Sequence, residues 1–293
     1  VTTGTGNTFI GGLAGDAITI GVSNVAVGQG ALGSDDVGSG NVAIGYLSLT
    51  AQNAPNATVN YMRNTAVGDY TGFSVTEGYY NTFVGARAGE DVTTGDENAF
   101  FGYRTGDYGT ATTTGGANIL IGTYCHTSAV GSAYAVGLGY NLNCEGGYVT
   151  LGKSGDDIRA AHGNTTWATV SDERYKKDIV DSTVGLSFIN DLKPRTFKYK
   201  TLGELPDTFS SYKADSTEVY KNTNTNHGFI AQEVKTAIDA HSEIKDGFKL
   251  WDDRDDGSQE VAEAALIPVL VKALQELSAK NDALEARIKT LEG

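Results

Sequence analysis

Residues 81–102 read NTFVGARAGEDVTTGDENAFFG. An asparagine, two apolar residues and a glycine stand there as Asn81, Phe83-Val84 and Gly85, and recur 17 residues on as Asn98, Phe100-Phe101 and Gly102. The same figure stands at Asn7 (NTFIG), Asn24 (NVAVG), Asn41 (NVAIG), Asn64 (NTAVG) and Asn118 (NILIG). The spacings are 17, 17, 23, 17, 17 and 20 residues, a 17-residue unit with 6 extra residues in the third copy and 3 in the sixth. Such internal periodicity is the signature of stacked repeats. An apolar stretch ending in glycine is a short strand that closes in a turn where glycine reaches positive φ. Seventeen residues suffice for about two strands and two turns, and seven coils at about 4.8 Å give a column on the order of 34 Å. The asparagine column is expected to form an internal hydrogen-bonded ladder that satisfies turn backbone groups, a structural role. Each coil keeps one apolar flank, and burying it against two copies of itself predicts a homotrimer.

Composition narrows the function classes. The chain has 293 residues, 40% hydrophobic and 20% charged, enough for two or three domains. Its net charge is -14, from 22 Lys+Arg against 36 Asp+Glu, which argues against nucleic acid and anionic membrane as partners. No apolar run reaches the roughly 18–20 residues of a membrane span. The start, Val1-Thr2-Thr3, has neither a basic nor an apolar leader region, and the expectation is a C-terminal piece of something longer. Cys125 and Cys144 are too few for a disulfide framework or a four-ligand metal site, so two packed free thiols, no metal and no cofactor are expected. Of 38 glycines, 32 precede position 171, which marks a domain boundary.

Within the repeats, the inserts at 51–63 (AQNAPNATVNYMR) and 110–117 (TATTTGGA) are the expected places for recognition, since inserted loops project from one face of a solenoid. Tyrosines recur beside the glycines and in turns, and Tyr61, Tyr79, Tyr80 and Tyr108 are the candidate receptor-binding residues. The competing reading packs these rings at the trimer seam. Adjacent acids (Asp35-Asp36, Glu90-Asp91, Asp96-Glu97, Asp156-Asp157) are read as solvated or weak cation sites, not as the opposed pair a glycosidase needs. The repeats over residues 7–152 resemble the head repeats of trimeric autotransporter adhesins, which implies a trimeric β-roll.

Beyond Gly163 the chain becomes lysine-rich and mixed polar. Taken locally, SDERYKK at 171–177 is a charged helix start with Ser171 as N-cap. Ser171 and Lys176 lie five apart, a spacing that shares one face of neither a helix nor a strand. Its companions alter that reading: GLSFINDLKPRTFKYK at 185–200, HGFIAQEV at 227–234 and ALIPVLVKALQEL at 265–277. In that order they resemble the C-terminal intramolecular chaperone of phage tailspikes and tail fibres, the self-cleaving domain typified by endosialidase tailspikes. The resemblance covers about 165–293. It implies a domain that trimerises the fibre, assists folding of the upstream β-structure and cuts itself off. The implied catalytic pair is Ser171 as nucleophile and Lys176 as base, with cleavage at the Ser171–Asp172 junction, in cis and once per chain. Lys176 must be neutral to accept the proton, through burial in the trimer or the neighbouring Lys177. His227 and Glu233 are carried over as supporting residues.

The last helix is legible without any resemblance. Ile267, Leu274, Asn281 and Ile288 occupy a positions and Leu270, Leu277, Leu284 and Leu291 occupy d, an unbroken coiled-coil pattern. The segment WDDRDDG at 251–257 has the composition of a calcium loop, but Arg254 stands at a ligand position, so a charged hairpin is expected. The expected fold is therefore mainly β. It comprises a trimeric β-roll or solenoid of 17-residue repeats over 1–164, a small α+β chaperone domain over 165–264 and a coiled-coil trimerisation helix over 265–293. The expected function is a viral tail fibre or tailspike tip on the virion tail that attaches to a host-surface receptor, glycan or protein. Its chaperone domain would be released in the host cytoplasm. The alternatives are a trimeric structural adhesin that never cleaves, and a roll that depolymerises polysaccharide.

Overall fold

The computed structural model describes residues 2–55, 61–245 and 248–292. The chain forms two compact units, Val1–Tyr175 and Lys176–Gly293. The first is a β-solenoid of about eight turns. Its strands are β1 (Thr8–Ile10), β2 (Val25–Val27), β3 (Val42–Ile44), β4 (Thr65–Val67), β5 (Thr82–Val84), β6 (Ala99–Phe101) and β7 (Ile119–Thr123). After β7 come β8 (His126–Thr127), β9 (Val136–Tyr140), β10 (Asn143–Cys144), β11 (Tyr148–Lys153) and β12 (Asp156–Ala161). Strands β1 to β7, β9 and β11 stack in parallel in chain order, and β12 closes the sheet antiparallel to β11. β8 and β10 pair in a small parallel sheet of their own. The 17-residue coil of β1 to β6 thus carries one strand, not the two expected. The rest of each coil is turns, held by main-chain bonds to the next coil such as Gly85 N to Val67 O at 2.9 Å and Gly89 N to Thr105 O at 2.8 Å.

The asparagines form the expected ladder. Asn24 N donates to Asn7 Oδ1 at 2.9 Å, Asn81 N to Asn64 Oδ1 at 2.9 Å and Asn98 N to Asn81 Oδ1 at 2.9 Å, and the chain of bonds ends with Ala135 N to Asn118 Oδ1 at 2.9 Å. The side-chain amides of Asn7, Asn24, Asn64, Asn81, Asn98 and Asn118 also reach a main-chain carbonyl, as Asn81 Nδ2 does to Gly95 O at 2.8 Å. One side chain therefore satisfies a buried N–H above it and a buried C=O beside it, which an apolar residue cannot do. The glycine after each strand has a different cause. At Gly85 φ is +128, and a Cβ there would lie 2.6 Å from the carbonyl oxygen of Gly102 in the next coil.

The middle residue of each strand points inward, and the residue six positions later completes the filling. Phe83 is matched by Gly89 and Phe100 by Gly106, whereas Ala26 is matched by Leu32 and Ala43 by Leu49, all of them buried among these apolar residues. A Cβ on Gly89 would sit 2.8 Å from the Phe83 ring. In these coils the large side chain changes position; in the coil of β4, where Ala66 and Gly72 are both small, Leu49 and Phe83 of the adjoining coils reach over Gly72, within 2.9 and 3.1 Å of where its Cβ would be. Leu32 and Leu49 accept positive φ (52 and 48) to supply that bulk. The flanking strand residues point the other way and are apolar too: Ile10, Ile44, Phe101, Ile119, Ile121 and Leu138 are exposed.

Two expectations about polar groups change. Asp35 is not a solvated acid but fully buried. Its Oδ1 accepts from Gly38 N at 2.8 Å and Ala54 N at 3.3 Å, and its Oδ2 from Gln52 Nε2 at 2.6 Å. Burial pushes its carboxyl above the ordinary value against these bonds. Gln52 in turn accepts from Asn64 Nδ2 at 2.8 Å, so the 51–63 insert is pinned to the ladder at its root; residues 56–60 lie outside the described part. Glu90 and Asp91 also have raised carboxyls, first by burial and then by Asp107, to which Asp91 hydrogen-bonds. Cys125 and Cys144 are buried free thiols, and burial pushes Cys144 up to about 12.

The second unit holds α1 (Leu186–Asp191), β13 (Arg195–Phe197), β14 (Asn226–Gly228), α2 (Ala231–Ala240), β15 (Trp251–Asp253), β16 (Gln259–Val261) and α3 (Ile267–Glu292). β13 pairs antiparallel with β14, and β15 and β16 form the expected charged hairpin, with Arg254 Nε on Glu260 Oε2 at 2.7 Å. The core gathers Phe188 of α1, Val234 and Ile238 of α2, Leu250, Leu266 and Val269 of α3. Glu276 of α3 caps α1, accepting from Leu186 N at 2.9 Å. With Pro268 in the first turn, where no N–H is needed, α3 packs one face (Val269, Ala273) inward and leaves the a/d leucines outside. From Leu277 to its end every described residue of α3 is exposed.

Two predictions follow from the coil interior. Asn81→Ala orphans a buried N–H and a buried C=O, at about 1–3 kcal/mol each, and should lower stability measured by denaturant titration by about 2–5 kcal/mol. Asn7→Ala, in an end coil and only half-buried, should cost clearly less. Phe83→Ala alone should cost about 3–5 kcal/mol, and Gly89→Leu alone should also destabilise; the double variant should recover much of the loss, read as a positive coupling in a double-mutant cycle.

Candidate functional site

Residues 162–183 lie almost wholly in solvent, with Asp172 the one partly covered residue. Their upstream end is tied to the solenoid, where Ala168 N donates to Arg159 O at 2.8 Å and Arg159 N to Ala168 O at 2.9 Å. The segment carries large apolar side chains in the open: Trp167, Val170, Tyr175, Ile179 and Val180, the last 85% exposed. Residues 173–175 make a single 3₁₀ turn. Its cap is Asp172 rather than the expected Ser171, since Asp172 Oδ1 accepts from Arg174 N at 2.9 Å. The Arg174 guanidinium adds Nε to Oδ1 at 2.9 Å and Nη2 to Oδ2 at 2.6 Å, holding the Asp172 carboxyl below its ordinary value. Aspartate two residues before arginine thus outcompetes serine, because two charge-assisted bonds lock it in place.

Ser171 lies four residues before the end of the first unit at Tyr175, and Lys176 opens the second. Both side chains are exposed.

The supporting residues fall in separate places within the second unit. His227 sits on β14 opposite Thr196 and lines a cleft of about 640 Å³ walled by Phe197, Tyr199, Tyr220 and Phe229. Glu233, in the first turn of α2, faces a smaller cleft of about 320 Å³ with Asp191 and Lys193. It takes a two-point ion pair from Arg195, Nε to Oε2 at 2.9 Å and Nη2 to Oε1 at 2.6 Å, which lowers its carboxyl. That pair ties β13 to α2. Nothing in the local spacing of Arg195 pairs it with a residue 38 positions away.

His241 is a second residue that sequence reasoning passed over. It ends α2, and its Nε2 lies 2.9 Å from Asp191 Oδ2 at the end of α1, with Nδ1 3.4 Å from Glu243 Oε1. Phe188 packs edge-on against the ring, and Phe248 stacks behind Phe188.

The candidate receptor tyrosines divide into two sets. Tyr61, Tyr79 and Tyr80 gather about Arg63, whose guanidinium lies 4.8 Å from the Tyr61 ring centre and donates Nη1 to Tyr80 Oη at 3.3 Å. Tyr79 packs edge-on against Tyr80 and hydrogen-bonds Asp96, whose charge raises its phenol. Tyr108 belongs elsewhere, in a cluster with Tyr103, Tyr124 and Tyr140 beyond the other end of the strands.

Residues 171–242 match the family described as the chaperone of endosialidase, which is also designated a peptidase family. The match begins at Ser171, the residue singled out as nucleophile, takes in Lys176, Arg195, His227, Glu233 and His241, and spans about a quarter of the chain. A chaperone segment thus follows directly on the β-solenoid. No curated protein and no solved structure matches the chain.

Histidine 241 gives a pH test of this segment. The Asp191 contact, aided by Glu243, raises its pKa above the ordinary value near 6.5. Its stabilisation is full below that value and lost as pH rises through the folded pKa. The thermal midpoint should therefore fall as pH climbs from about 6.5 upward, and His241→Asn should flatten that slope without moving the acid limb.

Proposed function

We propose that this chain is the tip of a viral tail fibre or tailspike: a trimeric β-solenoid that attaches to a host surface, followed by a chaperone that assembles the trimer and then cuts itself free. The observation that carries this reading is the chaperone-of-endosialidase match starting at Ser171, directly behind a solenoid of identical coils. Three features support self-association. The outer side of the sheet is an apolar column. The a/d leucines of α3 are exposed along its whole length. Around Ser171 the large apolar side chains Trp167, Val170 and Tyr175 are exposed.

In the proposed reaction the Ser171 hydroxyl attacks a main-chain carbonyl carbon. Its Oγ–C bond forms as the C–N bond breaks, Lys176 Nζ takes the hydroxyl proton and passes it to the leaving amine, and water then hydrolyses the ester. Assembly would dry the exposed lysine and lower its pKa, so cleavage would report a completed trimer. A cut at Ser171–Asp172 has a geometric requirement. Attack by Ser171 on its own carbonyl would close a strained four-membered ring, so at that junction the hydroxyl would come from a neighbouring copy in place of the expected action in cis. Attack on the preceding Val170 carbonyl closes a five-membered ring and would place the cut one residue earlier. Kinetics gives the device its purpose: long-range parallel pairing folds slowly and exposes edges, so a clamp that sets three chains in register and then leaves yields a product that resists unfolding.

Intact mass and denaturing electrophoresis test this. Wild type should yield residues 1–171 and 172–293, while Ser171→Ala and Lys176→Ala stay whole. A boundary at Val170–Ser171 would assign the serine to its own preceding carbonyl. Wild type staying whole as an assembled trimer would overturn the peptidase reading and leave the second unit as a permanent cap.

A further inference from the structure

The tyrosine cluster at the C-terminal ends of the strands has features the other set lacks. Tyr103, Tyr124 and Tyr140 come from three successive coils, one coil apart, with ring centres 5.5 and 6.0 Å from one to the next. Tyr108 lies 4.5 Å from Tyr124 and is flanked by Arg104 at 5.6 Å and the His126 ring at 6.3 Å. Tyr124 touches all three other tyrosines, so each ring is held by its neighbours before any ligand arrives. Tyr103, Tyr108 and Tyr140 nevertheless remain 40–47% exposed. Among the described residues none of the four phenol oxygens hydrogen-bonds within the chain, whereas Tyr79 and Tyr80 spend theirs on Asp96 and Arg63. Rigid rings with open faces and unused hydroxyls are what a pyranose ring requires, an apolar C–H face to stack on and donors and acceptors at its rim.

The surrounding charge selects among sugars. Asp107 binds Arg104 Nε at 2.7 Å, and Glu90 binds Arg87 at 3.2 Å, so both nearby guanidinium groups are already neutralised. Asp91 adds a further carboxylate against Asp107. With a net charge of -14, this face repels polyanions.

We infer that Tyr103, Tyr108, Tyr124 and Tyr140 form a binding site for a linear, uncharged glycan running along the solenoid axis, its successive sugars meeting successive coils. The site deepens the attachment reading and rests on it, but is independent of the cleavage reaction.

The test uses the full chain and titration calorimetry with cellohexaose, chitohexaose and maltohexaose as uncharged probes and a polyuronate hexamer as the charged one. At least one uncharged probe should bind, and the polyuronate should not. Tyr103→Ala and Tyr140→Ala, at backbone positions without positive φ, should each weaken binding at least tenfold, while Tyr134→Phe, at an exposed ring outside the cluster, leaves it unchanged. Thermal midpoint and mass in solution, recorded on the same samples, show that the variants are folded and assembled as wild type. Failure of every uncharged probe, or binding that survives both alanine variants, would overturn the site. Loss of the assembled mass in Tyr103→Ala would do so as well, by making the cluster an interface between copies; cleavage at Ser171 in those samples would still stand or fall separately.

Discussion

The hydrogen bond from one asparagine main chain to the side-chain oxygen of the asparagine one coil before is what the first unit hangs on. Each coil from β1 to β6 is too short to bury anything alone: it has one three-residue strand and a run of tight turns. Its polar main chain must be satisfied by the coils on either side. The asparagine amide does that at the point where strand and turn meet, and the glycine four residues on lets the next coil come within contact of it. Once those two positions are set, the interior is a matter of filling the space within the coils. Phe with Gly and Ala with Leu are two solutions to it.

Much of this was legible because the repeat constrains backbone groups rather than side-chain preferences. The asparagine and glycine positions recur without exception in seven copies, and the ladder and the parallel stack follow from them. The strand count per coil was not legible. An apolar pair before glycine marks a strand, but the remaining apolar residues (Leu32, Leu49, Val75, Val92) fill turns instead, and composition does not separate those cases. The last two coils escaped for a plainer reason: Ala135 and Tyr148 stand where asparagine would, and only Gly139 and Gly152 keep the pattern. The burial of Asp35 is not legible: Gln52 stands one 17-residue period on, but spacing alone does not show that both side chains turn inward.

In the second unit legibility runs the other way. The a/d pattern of α3 could be read directly, yet the helix also has a second apolar face in Val269 and Ala273 that holds it to the core. Two faces on one helix let the same element finish its own domain and still offer a seam. The ion pair of Arg195 with Glu233 and the contact of His241 with Asp191 both join elements distant in sequence, so no local spacing announces them. Ser171 and Lys176 are placed in the chain by motif alone, and their exposure fits chemistry that waits for assembly.

The ladder stops at Ala135, whose N–H donates to Asn118 Oδ1 but which has no side-chain oxygen to accept the next bond, and β12 then turns back across the sheet. Between Asn7 and that stop, the same asparagine bond joins each coil to the one before, and only the inserts at 51–63 and 110–117 interrupt the 17-residue period. A duplicated or deleted 17-residue unit would meet the bonds its neighbours already make, and would change the column by one strand spacing of about 4.8 Å. Length is thus a quantity this architecture can vary in equal steps without redesigning its interior, so the reach of the solenoid can be adjusted like the count of links in a chain.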